Sequence, residues 1–229
     1  MKNIFIACDT SNLKEVKKII KLSQVQLDGF KIGYKFGLEF FYSKNGRKFI
    51  EKLKVKNLWL DIKTFDIPNT SFAAIKSLRD LKNISYITVH VSGGLEMLKA
   101  VKKASKKYNK KLKILGVTVL TSFSPSSIKK VGHTKSIKEL VKKQALLAEE
   151  YGCHGIICAG TDLKFVNRIF KGEIITPGIR LKGDSLGDQK RVMSPKEAFK
   201  NGSNALVMGR SIIKGNIRNN IIKLIKELK

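Results

Sequence analysis

At 229 residues with 42% hydrophobic content, the chain is long enough for one domain with a sizeable core. No stretch reaches the ~18 apolar residues of a membrane helix, which excludes an integral helical membrane protein as the reading. The formal charge of +28 invites a nucleic-acid partner, yet no helix-turn-helix, zinc finger or aromatic-studded RNA-binding strand accompanies it.

The lysines fall on helix exteriors, as at Lys14, Lys17, Lys18 and Lys21, and again at Lys99, Lys102, Lys103, Lys106 and Lys107. They read as compositional bias that raises nonspecific affinity for polyanions and helps steer an anionic substrate. The apolar run that opens the chain, ending at Asp9, is too short for a signal peptide and reads as a first strand, so a cytoplasmic protein is expected. Cys8, Cys153 and Cys158 are odd in number and lack a zinc spacing; buried, reduced thiols are expected.

From there β-rich runs alternate with amphipathic helical stretches. Strands are expected at residues 4–8, 29–33, 57–62, 86–91, 113–120, 155–159, 173–176 and 205–208. Most are nearly continuous apolar runs, as in parallel strands covered by helices. Between them, Leu13, Val16, Ile19 and Ile20 mark one helix, and Leu140, Ala145, Leu146 and Ala148 another, with Gly152 as its stop. Eight β-then-α units without a composition break point to an α/β protein, a (βα)8 TIM barrel occupying residues 1–229 as a single domain. An open doubly wound sheet would alternate in the same way.

Polar residues gather at the expected C-terminal ends of the strands, where barrel enzymes build their sites. Asp9 ends the first strand, Lys31 lies within the second, and Asp61 and Lys63 end the third, with Asp66 on the loop beyond. Alternate residues of a strand share a face, so Asp61 and Lys63 point the same way. A lysine between carboxylates stays an ammonium, a poor base but a well-placed proton donor. The carboxylates would repel an anionic group whose loss as neutral CO2 relieves the repulsion. The competing reading is an ordinary ion-pair cluster. Near the C-terminus, Thr176-Pro177-Gly178-Ile179-Arg180 leaves the seventh strand and Met208-Gly209-Arg210-Ser211 the eighth. Loops after these two strands are the customary phosphate site of such barrels. Two arginines can supply charge-assisted bonds, and Gly209 permits close backbone approach. Taken alone, Gly-Arg-Ser reads rather as a surface turn; paired with Arg180 and placed on these strands, it reads as a phosphate site.

In order along the chain, these residues resemble the orotidine 5′-phosphate decarboxylase family. The resemblance runs from Asp9 and Lys31 through Asp61-Ile-Lys63-Thr-Phe-Asp66-Ile67-Pro68-Asn69-Thr70, Thr88-Val89-His90, Gly93-Gly94 and Thr121-Ser122. It continues through Thr176 to Arg180, Gln189 and Gly209-Arg210. Phe65 stands where the family usually has His, Val91 where Ala is common and Ala159 where Ser is common. The resemblance implies conversion of orotidine 5′-monophosphate to UMP and CO2 in de novo pyrimidine biosynthesis, without metal or cofactor. It implies that Lys63 protonates C6, that Asp61 sits beside the substrate carboxylate, and that Lys31 and Asp66 complete a Lys-Asp-Lys-Asp array. Asp9 and Lys31 would hold ribose hydroxyls, Thr121 the pyrimidine, and Arg180, Gln189, Gly209 and Arg210 the phosphate. Asp66, Ile67 and Thr70 would enter the neighbouring subunit's site, which makes a homodimer.

The stretch 181–191 is polar and contains glycines, so it is expected to close over a bound phosphate as a lid. His90 ends a buried-looking strand and reads as a hydrogen-bonded structural residue; His133 and His154 read as loop or surface residues. No His/Asp/Glu set has metal spacing, and no dinucleotide-type glycine fingerprint follows the first strand. Two rivals remain: a Mg2+-dependent sugar-phosphate decarboxylase or aldolase of the same superfamily, and a non-catalytic basic nucleic-acid-binding barrel.

Overall fold

The structure, a computed structural model, describes residues 2–26, 28–184 and 192–228. Eight parallel strands close into a barrel in sequence order: β1 (Lys2–Ala7), β2 (Phe30–Gly37), β3 (Leu58–Thr64), β4 (Ile84–His90), β5 (Lys113–Val117), β6 (Gly155–Ile157), β7 (Glu173–Thr176) and β8 (Ala205–Met208), with β8 pairing back to β1. This closure settles the barrel against the open sheet. The α-helices between them are α1 (Leu13–Ser23), α2 (Leu38–Tyr42), α3 (Gly46–Lys52), α4 (Pro68–Ser77), α5 (Gly94–Tyr108) and α6 (Pro125–Lys130). They continue as α7 (Ile137–Glu150), α8 (Leu163–Val166), α9 (Pro195–Lys200), α10 (Arg210–Ile213) and α11 (Ile217–Leu228).

Local chemistry starts these helices where the chain needs them. Asn12 accepts from the backbone N–H groups of Lys14 and Glu15 at the head of α1. Ser136 with Glu139 and Ser194 with Glu197 form reciprocal capping boxes on α7 and α9. Gly152 closes α7 in the left-handed conformation, φ +65°. The buried stripe of α7 is Val141, Ala145 and Ala148, whereas Leu146, expected on that stripe, is exposed. The helical period puts position 141, rather than 146, in line with 145 and 148.

Period-two alternation divides the strands cleanly. Ile4 and Ile6 of β1, and Cys8 just beyond it, pack outward under the helices, with Tyr34, Phe36, Leu58, Leu60, Ile87 and Val89. Phe5, Ala7, Trp59, Tyr86, Leu115, Ile175, Ala205 and Val207 point inward and fill the lumen. Phe5 is edge-on to both Trp59 and Tyr86, with ring centroids 5.1 and 5.4 Å apart. These rings fill the lower barrel, and a cavity opens above them at the C-terminal ends of the strands. Gly33 makes that packing feasible: a Cβ there would stand 2.6 Å from the Asn57 carbonyl and 2.7 Å from the Phe5 ring.

Gly33→Ala should therefore destabilise the fold by about 1–3 kcal/mol through overpacking. A denaturant midpoint unchanged from wild type would show that the Phe5 ring moves aside at no cost.

Candidate active site

Above the aromatic plug lies a cavity of about 550 Å³, lined by residues from the C-terminal ends of the strands and the loops that follow them. Its walls include Asp9, Lys35, Asp61 and Lys63 from the segment after the first strand and from the second and third strands, and Pro177, Gly178, Arg180, Gly209 and Arg210 from beyond the seventh and eighth. Thr121 and Ser122 follow the fifth strand, and Cys158 and Ala159 the sixth.

The charged wall is tightly connected. Lys35 Nζ stands 2.8 Å from Asp9 Oδ1 and 3.2 Å from Asp61 Oδ2. Lys63 Nζ is 3.0 Å from the same Asp61 Oδ2. The other Asp61 oxygen accepts from the Thr88 hydroxyl at 2.8 Å. Lys35 and Asp61 are buried, while Lys63 and Asp9 face the cavity with side chains 33% and 52% exposed. Burial on its own would neutralise both inner groups. For Asp61 that effect is outweighed by Lys35 and Lys63 and by hydrogen bonds from Lys63 and Thr88, so its carboxyl lies below the usual range. For Lys35 burial is outweighed by Asp61 and Asp9, and its ammonium is held above the usual lysine range. Gly37 leaves the room this requires, since a Cβ there would come within 2.7 Å of Asp9 Oδ1.

Lys31 is not part of this cluster. It is exposed at the start of the second strand, in register with Asn3 at the opposite end of the barrel. Lys35 takes the place expected of it. The two lysines share a face, but four residues at roughly 3.3 Å each separate them by about 13 Å. The expected strand stops at position 33, whereas the real one runs on to Gly37.

Lys63 itself has an unusual backbone, φ +47°, the left-handed region that non-glycine residues seldom occupy. It lies within an irregularity of the ladder. Leu60 pairs with Ile87 and Thr64 with Val89, so four steps along the third strand match two along the fourth. Such bulges re-aim side chains at barrel rims.

Asp66, Ile67 and Thr70 do not line the cavity; they are exposed at the start of the fourth helix, and Asp66 accepts from the Ile67 N–H at 2.7 Å. Among the described residues Asp66 forms no ion pair within the chain. Gln189 and the greater part of the expected lid fall at residues 185–191, outside the described residues. His90 packs its ring against Phe65, centroids 5.6 Å apart, and burial followed by Lys63 lowers its basicity. His154 is exposed, as expected of a surface residue, and its Nδ1 accepts from the Ile114 N–H at 3.0 Å. The three cysteines are free; burial pushes the Cys8 thiol up to about 12 and that of Cys153 to about 11. Among the described residues no three His, Cys, Asp or Glu side chains cluster as a metal site would require, and no helix is long and apolar enough to cross a membrane.

The lowered Asp61 carboxyl carries a pH signature. Its stabilising contribution is complete above the unfolded value of 3.8 and is lost as pH falls through the lower folded value. The stability difference between wild type and Asp61→Asn should therefore be flat above 3.8 and shrink below it. A difference that keeps its size into strong acid would mean Asp61 is not held as an anion by its neighbours.

Comparison with known proteins accords with this geometry. Residues 2–220 match the model of the Orotidine 5′-phosphate decarboxylase / HUMPS family. An orotidine 5′-phosphate decarboxylase of Buchnera aphidicola (subsp. Acyrthosiphon pisum, strain Tuc7) is 39% identical over 93% of this chain and 89% of its own length. That of Erythrobacter litoralis is 36% identical over 92% of each. The crystal structure of orotidine 5′-phosphate decarboxylase from Lactobacillus acidophilus superposes with a TM-score of 0.84 at 30% identity, covering all of both chains. The Methanocaldococcus jannaschii orotidine 5′-monophosphate decarboxylase complexed with inhibitor BMP shares the fold, with a TM-score of 0.78 at 24% identity and coverage of 100% of this chain and 99% of its own. With a match over nearly the whole length and a closed barrel beneath it, the chain belongs to the Orotidine 5′-phosphate decarboxylase / HUMPS family.

Proposed function

We propose that this chain decarboxylates orotidine 5′-monophosphate to UMP and CO2 in pyrimidine biosynthesis, with Lys63 as the proton donor to C6. The observation that carries the residue roles is the shared oxygen of Asp61, bracketed by the Lys35 and Lys63 ammonium groups at the buried side of the cavity. The relatives named above are orotidine 5′-phosphate decarboxylases, and nothing in them favours the sugar-phosphate branch or a nucleic-acid-binding barrel.

In this reading the substrate carboxylate lies beside Asp61, whose ionised state is maintained by its partners. The C6–carboxylate bond breaks, its electron pair stays on C6, and neutral CO2 leaves, which ends the anion–anion repulsion. Lys63 gives one ammonium proton to C6 and later recovers one from solvent. Asp9 and Lys35 hold ribose hydroxyls, and Thr121 contacts the pyrimidine. Arg180, Gly209 and Arg210 hold the phosphate, together with Gln189. At Gly209 a Cβ would meet, among the described residues, only Ala7 within 4 Å, at an ordinary 3.6 Å. The missing side chain leaves the backbone there open to close approach of a phosphate.

We also propose a homodimer in which Asp66, Ile67 and Thr70 complete the neighbouring site. Residues 65–70 form an unbroken exposed stretch, with Phe65 62% and Ile67 66% exposed. Large apolar side chains grouped at the mouth of a charged cavity are the surface a partner subunit would cover. A cytoplasmic location is in keeping with the three unpaired thiols.

The direct test follows the loss of the orotate chromophore on mixing protein with orotidine 5′-monophosphate in buffer containing EDTA. Wild type should form UMP. Lys63→Ala should lower kcat by at least roughly 10²–10⁴-fold, the span of positioned acid–base catalysis, while keeping the fold. Near-normal turnover in that variant would remove Lys63 as donor. Failure of wild type in EDTA with recovery in Mg2+ would move the chain to the sugar-phosphate branch.

The shared site makes a second prediction. Lys63→Ala and Asp66→Ala proteins, each inactive, should regain activity when mixed and allowed to exchange subunits. Hybrid dimers then contain one site with both residues intact. No gain, with exchange shown by differently tagged chains, would place Asp66 outside the site.

A further inference from the structure

Thr88 has no role in the reaction as proposed above, yet it touches both residues at the centre of it. It lies on the fourth strand, completely buried, on the inward face shared with Tyr86 below and His90 above. Its hydroxyl makes two contacts of opposite sense. Oγ1 accepts from the backbone N–H of Lys63 at 3.0 Å and donates to Asp61 Oδ1 at 2.8 Å.

The first contact stands where a strand carbonyl would normally be. Between Leu60 and Thr64 the third strand runs out of step with the fourth. In the slipped stretch the Lys63 N–H therefore meets a side-chain hydroxyl of the neighbouring strand. Lys63 has φ +47° here, a conformation that for a lysine persists only when its surroundings hold it. The second contact uses the hydroxyl's single proton. Asp61 Oδ1 is thereby engaged, and Oδ2 is left to the two ammonium groups of Lys35 and Lys63. One hydroxyl thus fixes the backbone of the lysine and the carboxylate plane of the aspartate at the same time.

We propose that Thr88 is a positioning residue for decarboxylation, its hydroxyl holding the strained Lys63 backbone and the Asp61 carboxylate in their working geometry. The inference rests on Lys63 being the proton donor. Valine in place of Thr88 keeps the shape but can neither donate nor accept, leaving a buried N–H and a carboxylate oxygen without their partner. Serine keeps both bonds and loses only a methyl group.

Steady-state kinetics on Thr88→Val and Thr88→Ser, with melting temperatures and UMP affinity measured in parallel, tests this. Thr88→Val should lower kcat by about 10²-fold, the scale of a misplacement near 1 Å, with UMP affinity close to wild type. Thr88→Ser should restore kcat. Should the valine protein fail to fold, Thr88→Ala takes its place in the comparison and should show the same fall in kcat. Wild-type kcat in the variant lacking the hydroxyl would overturn the proposal. So would equal loss in the serine and hydroxyl-free variants, since the methyl group and not the hydroxyl would then matter. Lys63→Ala separates the two levels of argument. If it is inactive while Thr88→Val turns over normally, only Thr88 loses its role; if it is active, the assignment of Lys63 falls first.

Discussion

Removing a lysine ammonium and an aspartate carboxylate from water costs several kcal/mol for each ion, even after the surroundings relax. The barrel mouth nevertheless holds Lys35 and Asp61 buried, 3.2 Å apart. Neither could stay charged alone. Each is held by a second partner nearer the solvent: Asp9 at 2.8 Å for the lysine, Lys63 at 3.0 Å for the aspartate. The result is an alternating chain of charge, Asp9–Lys35–Asp61–Lys63, in which every inner member lies between two opposites. Removing one member would leave a buried neighbour with one opposite charge in place of two. Hydrophobic residues of similar volume would stabilise such a position at least as well. Under the proposed assignment its value is functional, an anion fixed beside a reacting carbon with an ammonium at its shoulder.

The scaffold beneath explains why so costly a group can be built there. Phe5, Trp59 and Tyr86 fill the lower lumen with edge-on rings, and the outward faces of the same strands are packed under helices. Burial of that apolar surface offsets the unfavourable desolvation above it. The plug also gives the cavity a floor, so that a ligand stops at the level of Asp61. At that level the ladder slips, and Lys63 takes up its left-handed backbone. Strain gathers at the side chain proposed as the proton donor, and such strain is common at functional sites.

Most of the architecture is readable in the residues because parallel strands under helices leave a plain record. The seventh and eighth strands, residues 173–176 and 205–208, coincide with their apolar runs. The second strand shows where such reading stops. A lysine at position 35 in an apolar run looks like a strand's end, and only the arrival of Asp9 and Asp61 from other strands makes it a buried member. Lys31, on the same face, is the more obvious candidate and lies at the wrong end. Alternation brings Asp61 and Lys63 to one face, and they do meet. The slipped register that holds them is not legible, because Asp-Ile-Lys-Thr contains no glycine or asparagine to announce a positive φ. Thr88 is likewise silent, a β-branched residue in a strand where β-branched residues are ordinary.

Under the proposed assignment the two sets of cavity residues act on the two ends of one ligand with opposite sign. Arg180 and Arg210 line the side that would receive a phosphate, and Asp61 faces the side that would receive a carboxylate. A dianionic end is drawn in while a monoanionic end is pressed against another anion. Attraction at the phosphate does not change as the reaction proceeds, whereas repulsion at the carboxylate vanishes once CO2 has formed. Binding energy gathered at the remote end is thus available to hold the reacting end where it is least stable, and only the second interaction differs between ground state and transition state. Lys63 belongs to both parts of this scheme. Its ammonium keeps Asp61 ionised while the carboxylate is present, and it is the nearest acid when the electron pair appears on C6. The same proton therefore helps to hold the repulsive anion in place and then removes the charge that decarboxylation leaves behind.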